Sequence, residues 1–145
     1  MMLPAISLWQ PWASAATFPH LKGHETRHWP APARLIGQRF AIHAAKRAPP
    51  VNLSSHVQLR MEALFGTGWR KTVPRGCIVG TAVLASCLPT TTAQPSHMID
   101  FAFGDWSEDR FAWALTEVTR LKDPIPWSGR QGWFSVEIPD IGAPA

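Results

Sequence analysis

The sequence predicts a mainly β fold with α elements (α+β), in which a small β-barrel carries flanking helices on its outside. The chain has 145 residues, of which 46% are apolar and 17% are charged, a balance typical of a globular domain with one hydrophobic core. Its apolar stretches are short and are separated by turns rich in proline and glycine. No internal repeat or long linker divides the chain, so we expect residues 1–145 to form a single domain.

The first strand and the two helices are predicted from apolar patterning. Residues 4–9 form a short apolar stretch typical of a strand. Residues 10–18 follow with a proline near their start, which suits the first turn of a helix. Residues 52–65 place apolar side chains at helical spacing after Asn52, Ser54 and Ser55, each of which can cap a helix.

Residues 34–46 predict a second strand, with a turn at Gly37. Alternate residues of a strand point to opposite faces, so Phe40 and Ile42 share one face and His43 lies on the other. This alternation makes His43 a candidate for a cleft on the face opposite the apolar side chains.

The second half predicts three further strands, at residues 77–88, 110–121 and 132–138. In residues 110–121 the apolar alternation changes phase at Val118, which predicts a bulge. Cys77 and Cys87 fall in one predicted strand, where ten extended residues span about 33 Å. A disulfide requires a much shorter separation, so we expect both thiols to be reduced.

Charge is distributed unevenly along the chain. Residues 1–75 contain ten Lys or Arg and two acidic residues, whereas residues 76–145 contain four and eight. Five of the six histidines also lie in the first half. This polarity predicts a basic face able to meet phosphates. The eight tryptophans leave two roles open, because indoles both fill cores and stack on bases.

The sequence contains no charged start followed by a long apolar run, and no stretch approaches the ~20 apolar residues of a membrane helix. We therefore expect a cytoplasmic protein with no membrane partner.

Residues 24–28 match the H-E-x-x-H pattern of zinc proteases. That site requires a helix, which brings both histidines to one face. Here Gly23 interrupts the segment and Pro30 follows closely, so a stable helix is not expected. We assign no metal ligands in the chain.

Lys22, Glu25 and Arg27 match a G-x-K-x-x-E-x-R pattern, except that His20 stands at the glycine position. Together with five other segments in the same order, this pattern resembles the ASCH domain family, a group with a PUA-like barrel. Those segments are residues 6–13 (ISLWQPWA), 40–46 (FAIHAAK), 74–82 (PRGCIVGTA), 103–115 (which contains FGDWS and FAWAL) and 125–133 (IPWSGRQGW). The resemblance covers nearly the whole chain and implies a single ASCH domain.

The resemblance implies a cleft lined by basic residues, and one of three activities. ASCH members include RNA-associated regulatory modules, magnesium-dependent ribonucleases acting on single strands, and amidohydrolases that deacetylate N-acetylcytidine. The amidohydrolases use a lysine at the position of Lys22 but have a threonine where Glu25 stands.

Lys22, Glu25 and His43 are the candidate catalytic residues. A lysine ammonium can stabilise developing negative charge or, when desolvated, act as a base or nucleophile. Glu25 can tune Lys22, and histidine can move protons near neutral pH. The alternatives stay open: Glu25 with Arg27 as a structural ion pair, and His43 as a hydrogen-bonded core residue.

The candidate binding residues combine cations for phosphates, an indole for stacking and amides for base edges. They are Trp9, Gln10, Arg27, Lys46, Arg47, Ser128, Arg130 and Gln131. Asp105 and Glu108 are alternative acids, with a solvated loop charge as the simpler role.

We therefore predict a protein that binds single-stranded RNA or a nucleotide through a basic cleft, with ribonuclease activity as the catalytic form. We expect no tightly bound cofactor, with magnesium as the candidate ion. An N-acetylcytidine-type amidohydrolase and a non-catalytic RNA-binding module are the alternatives.

Overall fold

The computed structural model of the protein describes residues 1–139. In this range the chain forms six strands, four α-helices and one 3₁₀ turn. The strands are β1 (Met2–Leu8), β2 (His24–Arg27), β3 (Arg39–Ala44), β4 (Cys77–Pro89), β5 (Phe111–Pro126) and β6 (Phe134–Glu137). The helices are α1 (Trp12–Ala15), α2 (Ser55–Phe65), α3 (Trp69–Thr72) and α4 (Met98–Ala102), and the 3₁₀ turn is Ala33–Leu35. No helix within residues 1–139 has the length and apolar character needed to cross a membrane.

All six strands belong to one sheet, in the order β2-β5-β4-β3-β1-β6. Neighbouring strands run antiparallel except β1 and β3, which are parallel. Over residues 1–139 the pairing leaves the sheet open between β2 and β6. The predicted mixture of strands and helices is therefore confirmed, while the closure into a barrel is not.

Apolar side chains cover both faces of the sheet. One face packs Ile6, Phe40, Ile42 and Trp113 into the largest cluster of buried residues. The other face buries a smaller cluster that includes Ala41. Phe40 and Ile42 thus lie on the opposite face from Ala41 and His43, as the alternation in the sequence predicts.

The helices pack together through a third cluster, which joins α1, α2 and α3 around Met61 and Trp69. Ser54 caps α2 by accepting a hydrogen bond from the Val57 backbone N–H at 3.3 Å, so one of the three candidate caps is confirmed. Helix α1 is shorter than predicted. The segment that was expected to begin it contains Gln10, whose side chain is folded back onto Ser14.

Several predicted strands are correct with adjusted bounds. β5 continues to Pro126 and shifts register against β4, and Glu117, next to the predicted bulge, has a φ of 47°. β3 begins at Arg39, because the 3₁₀ turn and Gly37 (φ 82°) occupy the start of the predicted segment. Cys77 and Cys87 lie on β4 as free thiols, as predicted.

β2 was not predicted as a strand, nor were the short helices α3 and α4. β2 is four polar residues at the edge of the sheet, and it carries no apolar alternation of its own. It forms because β5 offers backbone partners, in a register that pairs Glu25 with Trp113. The expectation that residues 24–28 form no stable helix is confirmed.

Candidate functional site

Two adjoining hollows together contain most of the candidate site residues. The trio hollow has a volume of about 790 Å³ and includes Lys22, Glu25 and Arg27 in its wall. The turn hollow has a volume of about 730 Å³ and includes His43, Lys46 and the segment Gly129–Gly132. Both are lined by Ser7, Trp9, Arg27 and Trp29, so they form one continuous concave surface.

Lys22, Glu25 and Arg27 form a continuous ionic chain. Lys22 is 2% exposed, and its Nζ lies 3.3 Å from Glu25 Oε1 and donates to the Phe103 carbonyl oxygen at 3.2 Å. The other Glu25 oxygen, Oε2, accepts a hydrogen bond from Arg27 Nε at 3.1 Å. One carboxylate therefore pairs with two cations beside the trio hollow. The Glu25–Arg27 ion pair, expected as a structural alternative, is thus part of the candidate functional cluster.

Arg27 occupies the junction of the two hollows. Its Nη2 donates to the Ser7 carbonyl oxygen at 3.0 Å. Its guanidinium carbon lies 5.7 Å from the ring centroids of both Trp29 and Trp113. These contacts fix the planar fork against apolar surfaces, and a fixed guanidinium is well suited to bind phosphate.

The fold of β2 places this trio. Glu25 and Arg27 are two residues apart on a strand, so their side chains point to the same face. Thr26 points to the other face, where its hydroxyl accepts a hydrogen bond from the Asp105 backbone N–H at 2.9 Å. His20, at the usual glycine position of the resembling family, has a φ of 67°. The left-handed turn therefore forms without glycine, and the trio remains intact.

The start of β2 is held by a buried carboxylate on Asp100. The Gly23 N–H donates to Asp100 Oδ1 at 2.8 Å and the His24 N–H donates to it at 3.1 Å, while the Ser96 N–H and His24 Nδ1 each lie 2.8 Å from Oδ2. Burial on its own raises the pKa of Asp100, but the hydrogen bonds from His24, Ser96 and Gly23 outweigh burial and lower it. Asp100 therefore stays ionised and fixes the backbone leading into the trio.

His24 and His28 have protein partners of their own. His24 contacts Asp100, and His28 Nε2 accepts a hydrogen bond from Arg110 Nη1 at 2.9 Å. The histidines of the H-E-x-x-H pattern thus lie on an extended segment in separate contacts, which does not fit the zinc protease geometry.

His43 lies opposite Ser7 on the neighbouring parallel strand and is 1% exposed. Its Nε2 is 2.7 Å from the Trp127 carbonyl oxygen, and its Nδ1 is 2.7 Å from Ser7 Oγ. A carbonyl oxygen can only accept, so Nε2 carries a hydrogen. Both ring nitrogens of His43 are therefore occupied, and in the neutral ring Nδ1 accepts from Ser7.

The turn at residues 128–132 forms one wall of the turn hollow. Gly129, Arg130, Gln131 and Gly132 line the hollow, whereas Ser128 is exposed and does not belong to its lining. A Cβ atom added at Gly129 would lie 2.7 Å from His43 Cε1 and 2.8 Å from Ser7 Oγ. The backbone of Gly129 therefore packs closely against the Ser7–His43 pair, where any side chain would clash.

Trp9, Lys46 and Arg47 lie at the rim. Trp9 is 47% exposed, and the Arg47 guanidinium stacks over its ring at 3.9 Å. Lys46 lines the turn hollow, whereas Arg47 contacts the site through Trp9. The indole and both cations face outward, as stacking and phosphate contacts require.

Gln10 is placed differently from the prediction. Its side chain is fully buried, donates to Ser14 Oγ at 2.8 Å and to the Pro74 carbonyl oxygen at 2.6 Å, and accepts from the Ser14 N–H. A side chain so engaged cannot read a base edge. Gln10 ties the loop after β1 to the segment before β4.

The structure adds functional candidates that the sequence did not single out, namely Ser7, Trp29 and Arg110. Trp29 is 53% exposed and lines both hollows. Arg110 lines the trio hollow and donates through Nη2 to the Thr26 carbonyl oxygen at 2.9 Å, while its buried Nε has no hydrogen-bond partner among residues 1–139. Trp29 lies two residues after Arg27, whereas the positions of Ser7 and Arg110 depend on pairing between distant strands.

Asp105 belongs to the rim of the trio hollow. Hydrogen bonds from the Ser107 side chain and backbone are the main causes that lower its pKa, and Arg110 lies 3.5 Å away. An exposed carboxylate held in this ionised form fits the simpler role of a loop charge.

The residues that the structure describes do not fit a resident metal ion. Within residues 1–139 no three His, Cys, Asp or Glu side chains converge on one point. The Glu25 carboxylate is already shared by Lys22 and Arg27. Magnesium often binds through substrate phosphates with few protein ligands. A role for magnesium in the reaction of a bound substrate therefore stays a prediction.

The fold is similar to that of ASCH from Zymomonas mobilis. The two chains have 19% identity and a TM-score of 0.52, over 92% of this chain and 87% of the other. The chain has the ASCH fold. A tyrosine-to-phenylalanine variant of the Zymomonas mobilis protein has 18% identity, with coverages of 92% and 89% and a TM-score of 0.52. A serine-to-alanine variant has 18% identity, with coverages of 92% and 87% and a TM-score of 0.51.

No protein-family model matches the chain, and no curated protein matches it. The similarity of fold to the Zymomonas mobilis structures nevertheless confirms the ASCH resemblance that the short motifs predict. In the structure, five of the six motif segments contribute to the walls of the hollows. They are residues 6–13, the Lys22–Glu25–Arg27 trio, and residues 40–46, 103–115 and 125–133.

Proposed function

We propose that the protein is an ASCH domain that binds single-stranded RNA or a nucleotide in the two adjoining hollows. The observation that carries this proposal is the position of Arg27, a fixed cation at the junction of the hollows, with the exposed indoles of Trp9 and Trp29 beside it. The PUA-like barrel expected for this family belongs to the same proposal.

The chemistry of the walls suits a nucleotide. Base faces stack on indoles regardless of sequence, which contributes about 1–3 kcal/mol per base. Arg27, Lys46 and Arg130 offer cationic donors along the surface, where they can contact successive phosphates. The combination of stacking indoles with a line of cations is the usual arrangement of single-strand binding surfaces.

The presence of two hollows also favours a single strand. They adjoin within one concave surface and share the wall formed by Ser7, Trp9, Arg27 and Trp29. Bases splayed from a flexible strand can enter each depression, whereas the bases of a duplex stay stacked and paired. We therefore propose single-stranded RNA, or a nucleotide derived from it, as the ligand.

The geometry supports binding better than cleavage. Strand cleavage needs a proton acceptor in contact with the substrate. The His43 ring nitrogens are engaged by Ser7 and by the Trp127 carbonyl oxygen, so neither is free to contact a bound strand directly. Lys22, as an ammonium paired with Glu25, is placed to stabilise negative charge. We therefore propose ribonuclease activity separately from RNA binding, and each has its own test.

Fluorescence anisotropy with a labelled single-stranded RNA tests the binding. We expect affinity to fall as salt rises, with a slope of log K against log salt that reflects released counterions. Arg27→Ala and Lys46→Ala should each reduce this slope by about 0.7, the value for one phosphate contact on a single strand. Lys122→Ala, an exposed cation on β5, is the matched control. Binding that is insensitive to salt and to Arg27→Ala would contradict the proposal.

Incubating the same RNA with and without magnesium tests cleavage. Products that require magnesium and disappear in Lys46→Ala support the ribonuclease form, because a contaminating nuclease would not respond to the variant. Salt-sensitive binding without products at high protein concentration supports the binding module. Acetate release from N-acetylcytidine that is lost in Lys22→Ala supports the amidohydrolase alternative, which the buried ammonium of Lys22 beside the trio hollow favours.

A further inference from the structure

Ser7 and His43 form a hydrogen-bonded pair with the features of an activated nucleophile. The register of β1 and β3 sets the two side chains opposite each other, and Ser7 Oγ lies 2.7 Å from His43 Nδ1. The Trp127 carbonyl oxygen, 2.7 Å from Nε2, fixes the hydrogen there and leaves the Nδ1 lone pair for the Ser7 hydroxyl. A base oriented by a third group is the arrangement that activates serine nucleophiles.

The pair opens onto the turn hollow. Ser7 and His43 both line it, and Ser7 is partly exposed there, while the Gly129 backbone packs closely against one side of the pair. Arg27 donates to the backbone carbonyl oxygen of Ser7 and lines the same hollow, so a cation lies close to this residue. His43 is 1% exposed whereas Ser7 is partly exposed, so a substrate in the hollow would meet the hydroxyl first. The turn hollow therefore brings together a nucleophile (Ser7), a base (His43) and a cation that can stabilise negative charge (Arg27).

From this geometry we infer that Ser7 is a nucleophile for acyl transfer. Its substrates would be small carboxylic esters that also carry an anionic group. The cations of the turn hollow, Lys46 and Arg130, select the anionic part. The inference rests on the same hollow as the proposed function, but it does not require RNA.

The proposed reaction proceeds in two balanced steps. Ser7 Oγ attacks the ester carbonyl carbon while its proton passes to His43 Nδ1, and Arg27 stabilises the oxyanion. The carbon–oxygen bond to the alcohol then breaks, and the alcohol leaves with the proton from His43. In the second step water attacks the acyl-serine, His43 accepts a proton from that water, and the carboxylic acid is released as Ser7 recovers its hydrogen.

The test uses the full chain with p-nitrophenyl acetate and, separately, with a fluorophosphonate that labels activated serines. We expect a burst of about one nitrophenolate per protein molecule, and peptide mass spectrometry should place the acetyl group on Ser7. Ser7→Ala should abolish the burst, and His43→Gln should slow it about 100-fold, as loss of a general base does. Ser135→Ala, an exposed serine on β6, is the control and should behave as wild type.

Labelling of the wild-type protein tests the inference even if a variant fails to fold. Folded wild-type protein that carries no label at Ser7 with either reagent would overturn the inference, as would an acetyl group that maps to Lys22 instead. RNA binding measured in Ser7→Ala separates this result from the proposed function. Retained salt-sensitive binding with no serine labelling would refute the nucleophile and leave the binding proposal intact.

Discussion

Replacement of Asp100 by asparagine should destabilise the protein and loosen the start of β2. The asparagine side chain would keep an oxygen for the Gly23 and His24 N–H groups. Its NH₂ group would face the Ser96 N–H and His24 Nδ1, which each lie 2.8 Å from Oδ2. One charge-assisted hydrogen bond is lost and one buried donor loses its acceptor. Together these effects cost about 2–4 kcal/mol of unfolding free energy.

Urea unfolding followed by circular dichroism measures this cost, with an unchanged dependence on denaturant. Thermal unfolding should shift by about 5–10 °C for a domain of this size. Asp123→Asn, an exposed carboxylate on β5, is the matched control and should change stability by less than about 0.5 kcal/mol. A loss in Asp100→Asn no larger than in this control would refute the view that Asp100 anchors β2.

The same carboxylate predicts a pH dependence with a defined sign. Its pKa is lower in the folded protein than the usual 3.8, so its stabilisation is present above that value and is lost as pH falls through the folded pKa. The stability difference between wild type and Asp100→Asn should be largest near neutral pH and should narrow below pH 3.8. A difference that grows on acidification would contradict the assigned sign.

Three other predictions concern single positions. Trp29→Ala should weaken RNA binding by about 1–3 kcal/mol, because one stacking face is lost. Anisotropy titration measures this loss, and Trp106→Phe, at a position that lines neither hollow, is the control. His20→Gly should raise unfolding free energy by about 0.5–1 kcal/mol by relieving the left-handed backbone, and destabilisation in urea would disprove this reason. Burial raises the pKa of the Cys77 thiol more than Arg120 lowers it, so Cys77 should react with a thiol reagent much more slowly than in the unfolded chain; equal rates would contradict its burial.

Elements with strong local patterning were predictable. β4 is an uninterrupted run of small and β-branched residues, and α2 has apolar residues at helical spacing behind a serine cap. Such signals are internal to the segment, so they survive whatever packs against it. The short edge strand β2 was missed because four polar residues become a strand only when β5 supplies the backbone partners.

The candidate site shows the same division. Lys22, Glu25 and Arg27 were predictable because their spacing along one segment is itself the pattern. Ser7 was not, because its significance depends on the register that sets it opposite His43, thirty-six positions away. Gln10 was assigned to base recognition for its amide alone, and only the packing shows that Ser14 and Pro74 use that amide.

The sequence by itself determined the mixture of strands and helices, the reduced cysteines, the basic first half and the charged trio. These follow from periodicity, spacing and composition, which are properties of the chain before it folds. Tertiary structure alone decided which cations share a concave surface, which groups engage the histidine nitrogens, and which serine receives a base. Those properties depend on distances between residues far apart in the chain, and strand pairing sets such distances.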